Sequence, residues 1–218
     1  MSEEVLQKDG KSRIVRGFAI CLAVTGLVGG GFFLFFSKGL YLLPEKVCDH
    51  AVSRDLVIQV LPRARSAEEW ADQDGVGRRF SFACRVSTSG DSILSGQVDL
   101  RDSSESAWED HYGSLAGHRI VTTSKDGVEA LAQMDGDIGS ASIYVPCAPA
   151  NVEEGSASQA YALVAEAGVT GKSRATGAEL RQALTDFAYQ LTQRAYGLAE
   201  CKTPRAFPEQ LPRYKDRR

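Results

Sequence analysis

Residues 80–100 read FSFACRVSTSGDSILSGQVDL. Phe80, Phe82, Cys84 and Val86 alternate with Ser81, Ala83 and Arg85, the period of two that marks a strand with one covered face. Thr88-Ser89-Gly90-Asp91 is turn material, after which Leu94, Gly96, Val98 and Leu100 alternate again. The stretch predicts an antiparallel hairpin.

Working outward toward the C-terminus, Ser103 or Ser104 opens a short helix carrying Trp108, Tyr112 and Leu115. Strands are expected near 118–123 and 127–133. Another is marked by Ala141, Ile143, Val145 and Cys147, and a last one by 161–167. The strongest helix is 177–200. Thr176 and Glu179 have capping-box spacing, and Leu180, Ala183, Leu184, Phe187, Ala188, Leu191, Ala195 and Leu198 form one apolar face. Cys201 closes it, and Pro204 prevents continuation. Toward the N-terminus, 63–78 is polar and contains Gly75 and Gly77, so it reads as a loop with Trp70 packing back onto the core. Residues 47–61 read as a helix or a turn leading into one, capped by Ser53, lined by Val57, Val60 and Leu61, and ended by Pro62. No repeat of fixed period is present. The expected fold class is α+β, an antiparallel sheet backed by helices.

Further upstream, 21 residues from Gly17 to Ser37 carry no charge. At about 1.5 Å of rise per residue, such a helix crosses a hydrocarbon core of about 30 Å. Lys8, Lys11, Arg13 and Arg16 precede the run, whereas only Lys38 and Lys46 follow closely. Basic flanks stay cytoplasmic, so the N-terminus is expected inside and the bulk outside. The run is long for a signal peptide, and Ser37-Lys38-Gly39-Leu40 is a poor cleavage site. Cys21 lies early in the run, where an acylated cysteine would follow it. The organisation expected is a cytoplasmic segment 1–16, a transmembrane helix 17–37, a connector 38–44, an extracytoplasmic α+β domain 45–201 and a basic proline-containing tail 202–218. The tail is expected to be extended and mobile. Gly26 and Gly30 form a G-x-x-x-G that lets two helices approach, a weak homodimer signal.

On the oxidising side of a membrane, Cys48, Cys84, Cys147 and Cys201 imply two disulfides. Four thiols allow three pairings. Cys48–Cys84 and Cys147–Cys201 are favoured as the sequence-nearest pairs. A zinc site would need tighter spacing, and Cys48-Asp49-His50 is only a near-miss.

The net charge is -3, with residues 1–37 at +1 and 202–218 at +4, leaving 38–201 at -8. Such a domain lacks the basic face that phosphate backbones require, so nucleic acid is not an expected partner. The expected partners are the lipid bilayer and a protein outside the cell. Arg (17) outnumbers Lys (8), which with a single Asn points to a GC-rich bacterial genome.

Motif chemistry is sparse. Residues 166–173, EAGVTGKS, end like a P-loop, but Glu166 stands where the first glycine belongs. Asp135-Gly136-Asp137 lacks an EF-hand's glycine and final carboxylate, since those places hold Ser140 and Pro146. His50, His111 and His118 are scattered. No G-x-S-x-G, S-x-x-K or H-E-x-x-H occurs. No catalytic, metal or cofactor site is therefore expected. The leading expectation is a non-catalytic binding or envelope-assembly protein. The alternatives are an envelope enzyme whose site assembles from distant residues, with His111, His118, Asp135 and Asp137 as its candidates, and a membrane-linked sensor.

With its short cytoplasmic segment, single span and four outer cysteines, the chain resembles single-pass membrane proteins common in actinobacteria that carry a two-disulfide extracytoplasmic α+β domain. The Cys48 helix, Cys84 strand, Cys147 strand and Cys201 helix are also similar to secreted lipoprotein domains of those bacteria. The resemblance covers roughly 45–201 and implies an antiparallel sheet backed by helices. The group has no agreed activity, so it implies no functional residue.

Overall fold

The computed structural model describes residues 39–113, 120–133, 139–150 and 160–214. The expected span, with Cys21, Gly26 and Gly30, lies outside them, as do Leu115, His118, Asp135 and Asp137. No described helix is long and apolar enough to cross a membrane. After a 3-10 turn at Gly39–Leu42, the elements in chain order are β1 (Lys46–Val47), β2 (Val52–Ser53), α1 (Arg54–Val60), β3 (Ala67–Asp74), β4 (Ser81–Thr88), β5 (Ile93–Asp102) and α2 (Glu105–Gly113). Then follow β6 (Ile120–Lys125), β7 (Val128–Gln133), β8 (Ser140–Pro146), β9 (Tyr161–Thr170) and α3 (Gly177–Leu198).

The hairpin in 80–100 is β4–β5, with Phe82 opposite Val98, Cys84 opposite Gly96 and Val86 opposite Leu94. It seeds a seven-stranded sheet ordered β3-β4-β5-β9-β8-β7-β6, every neighbouring pair antiparallel. The fold is α+β, an antiparallel sheet backed by helices. Because side chains alternate along each strand, these paired positions of β4 and β5 all point to one face. There α3 lies across the sheet and buries Leu184, Phe187, Ala188 and Leu191 completely. Burial of each large side chain is worth about 1.5–3 kcal/mol. Gly96 makes the close approach possible, since a β-carbon there would stand 2.6 Å from Leu191 Cδ1. The start of α3 differs from expectation. Thr176 makes no side-chain cap bond, so the capping box does not form.

Two covalent clips fasten the edges of this core. Cys48 is joined to Cys84 and Cys147 to Cys201, closing sequence separations of 36 and 54. The first clip explains why the 47–61 helix begins only at Arg54. Cys48, Asp49 and His50 all adopt left-handed backbone, with φ of 59°, 53° and 63°, and turn β1 back onto β2. That turn costs free energy for residues with a β-carbon. It is held by the disulfide, by Arg194 paired with Asp49, and by the Glu69 carboxylate accepting from the Cys48 N–H. Ser53 makes no side-chain cap bond, and its N–H donates to Gln190 Oε1 on α3 at 2.9 Å.

Two further segments depart from the sequence reading. Within the expected 63–78 loop, Ala67–Asp74 forms β3, paired along its whole length with β4. Its Glu68, Asp72 and Asp74 carboxylates are exposed at a sheet edge, where charge discourages pairing with another chain. The tail described through Tyr214 is not free either. Phe207 packs against the rings of Tyr189 and Tyr196, Leu211 is buried, and the Tyr196 hydroxyl donates to the Thr203 carbonyl at 2.7 Å. Arg205 donates to the carbonyls of Asp126 and Gly127 in the β6–β7 turn. The prolines suit an extended strap, and its spaced aromatic and leucine side chains supply the burial that holds it on α3.

Candidate functional site

Among the described residues, the sheet face turned away from α3 is only partly covered. Helix α2 lies on it, seating Trp108 and Tyr112 among Leu131, Tyr144, Ala162 and Val164. The Trp108 indole N–H donates to Ser142 Oγ at 2.8 Å, which fixes the helix in place. What α2 leaves open is a groove of about 630 Å³. That volume lies within the ~300–1,000 Å³ typical of ligand sites.

Register explains its shape. One row of outward positions runs Trp70, Arg85, Ser95, Gly168, Ser140 across β3, β4, β5, β9 and β8. The adjacent row runs Asp72, Ala83, Gln97, Glu166, Ser142, Leu131. Small side chains at 83, 95, 140 and 168 make the floor. Trp70 and Arg85 rise on one side, with Tyr112, Leu131 and Gln133 on the other.

The wall beneath α2 is braced by a polar chain. Arg101 bridges Asp99 and Glu166, each at 3.0 Å, and the Tyr112 hydroxyl donates to Glu166. Burial opposes the charge on Asp99, but hydrogen bonds from Gln97, Ser81 and Arg101 outweigh it and hold the carboxyl below its usual range. Burial, reinforced by the Glu166 carboxylate, pushes Tyr112 upward, so it stays a neutral O–H donor at neutral pH. These ion pairs are partly exposed, where a pair contributes about 0–1 kcal/mol, so their effect is orientation more than stability.

The two arginines differ. Arg101 is committed, whereas Arg85 is exposed and makes no hydrogen bond or ion pair with a described residue. Trp70, expected to pack onto the core, is 53% exposed at the groove's rim. The cause is register. Ala67 and Ala71 take the core-facing positions of β3, leaving Trp70 on the other side.

The sequence motifs fall elsewhere. Glu166 sits within β9 rather than in a phosphate loop. Gly171 has φ +85°, and a β-carbon there would lie 2.7 Å from the Asp91 carbonyl, so its role is the close β9-to-α3 turn. The Ser173 hydroxyl donates to the Val60 carbonyl, and the Lys172 N–H donates to Ser92 Oγ. His111 is exposed on α2 against Tyr112, and His50 lies in the β1–β2 turn on the other side of the sheet, so these two do not converge. Among the described residues no three His, Cys, Asp or Glu side chains form a metal-holding group. Among the described residues no histidine lines the groove, and its Ser142 hydroxyl already accepts from Trp108. The arrangement offers a platform, an exposed cation and hydrogen-bonding groups. No family model, curated protein or solved structure matches the chain.

Proposed function

We propose that this chain is a single-pass membrane protein, anchored through 17–37, whose disulfide-bonded domain binds a ligand outside the cell in the groove beside α2. The uncharged run and its basic N-terminal flank support the topology. So do two disulfides, which persist in oxidising compartments. The actinobacterial membrane proteins that the chain resembles share this layout. The observation that carries the binding reading is the groove itself, a half-covered sheet face with a small-residue floor and convergent polar side chains.

The test uses the full chain in detergent micelles and a mixed panel of sugars, amino acids, nucleosides and lipid headgroups. Saturation-transfer NMR reads which of them bind. Ser95→Trp fills the floor, and a thermal melt checks that it folds. Compounds that bind the parent are expected to lose their signal in the variant. Equal signals in both, or no signal from any class, would overturn the reading.

A further inference from the structure

The geometry points to an acidic sugar chain, a pyranose oligomer bearing carboxylate or phosphate, as the ligand of this groove. The inference rests on the binding reading above. The row Trp70–Arg85–Ser95–Gly168–Ser140 crosses five strands. At about 4.8 Å per strand the row is about 19 Å long, so it suits an extended oligomer rather than a compact molecule.

Trp70 offers a flat apolar face with a polar edge, which matches the C–H face of a pyranose ring. Its outward neighbours on β3 are Glu68 and Asp72, both exposed. The indole is therefore isolated and does not belong to the broad apolar patch that a protein partner would cover. Arg85 is opposite Trp70 in register and carries the row's only charge. A planar guanidinium without a partner among the described residues matches a carboxylate or phosphate in bidentate fashion. The row's next position inward is Ser95, with Gln97 in the row beside it. A hydroxyl and an amide are suited to sugar hydroxyls. The carboxylates nearest Arg85 in register, Glu68 and Asp72, lie on the β3 side, so the ligand's anion seats on the β5 side.

The experiment follows tryptophan fluorescence of the full chain in detergent. The protein has 2 tryptophans, and Trp108 is only 2% exposed, so the response reports Trp70. One probe pair is a glucuronate–N-acetylglucosamine tetrasaccharide against the neutral N-acetylglucosamine tetramer. A second pair is glucose 6-phosphate against glucose. The acidic member of at least one pair is expected to bind about tenfold tighter, and the pair with the larger ratio identifies carboxylate or phosphate. Arg85→Gln is expected to bring that ratio near one. Calorimetry, which does not need the reporter, is expected to show Trp70→Ala weakening acidic and neutral sugars alike. Ratios near one in both pairs, or a preference that survives Arg85→Gln, would overturn the proposal. Tetraglutamate binding more tightly than either acidic sugar would also sink it, while leaving the groove as a binding site. Ligand binding unchanged by Ser95→Trp would instead remove the groove reading itself.

Discussion

Gly96 and Asp186 show how single side chains are constrained on the two surfaces of α3. A β-carbon at Gly96 would stand 2.6 Å from Leu191 Cδ1 and 2.9 Å from Phe187 Cε1, and both neighbours are fully buried. Gly96→Val is expected to cost about 1–3 kcal/mol by overpacking, read as a lowered thermal midpoint with disulfides intact. Asp186 accepts from Gln182 Nε2 at 2.9 Å. Burial raises its pKa, against the opposing effects of that bond and of Arg213. A raised carboxyl holds its proton more firmly when folded. Its stabilisation is present below the unfolded value of about 3.9 and is lost as pH rises through the folded one. Asp186→Asn is therefore expected to raise the denaturation midpoint at pH 7 and to lose that advantage near pH 3. An equal gain at both values would contradict the assignment.

Elements differ in how openly their sequences declare them. β4, β5 and α3 were legible because their apolar periods are strict and their partners lie on one face. β3 was hidden because Glu68, Glu69, Asp72 and Asp74 give it a loop's composition. Pairing with β4, rather than propensity, makes it a strand. The late start of α1 was hidden for a similar reason, since three left-handed residues are fixed by a disulfide and an ion pair from elsewhere in the chain. The strap beyond Cys201 read as free because its charges and prolines outnumber its few anchoring side chains. Cys201 joins α3 to that strap, and the Lys202 N–H donates to the Ala148 carbonyl beside Cys147. Replacing Cys147 and Cys201 together by Ser is expected to cost about 4 kcal/mol in the chain-entropy model, measured by denaturant unfolding. A change within ±0.5 kcal/mol, the usual range of surface substitutions, would mean that the strap alone holds the junction.

Across the whole molecule, the groove depends on strand order. β9 inserts between β5 and β8, bringing Ile93 opposite Thr170 and Ser140 opposite Gly168. No local pattern announces that insertion, so the row joining Trp70 to Ser140 was not readable, although the outward positions of β4 and β5 were. Long-range pairing of this kind also slows folding relative to local contacts. The segment entering the domain has a further consequence. The Gly39 N–H donates to the Ala64 carbonyl, Leu40 and Leu43 are buried, and Cys48 follows, bonded to Cys84 on β4, the strand next to the β3 edge. Tension applied to the polypeptide at Gly39 peels away a short leader and then meets a covalent stop. The pull then passes through the disulfide to β4 and bypasses residues 49–83, so β3, with Trp70 at the groove's rim, is not drawn out with the leader.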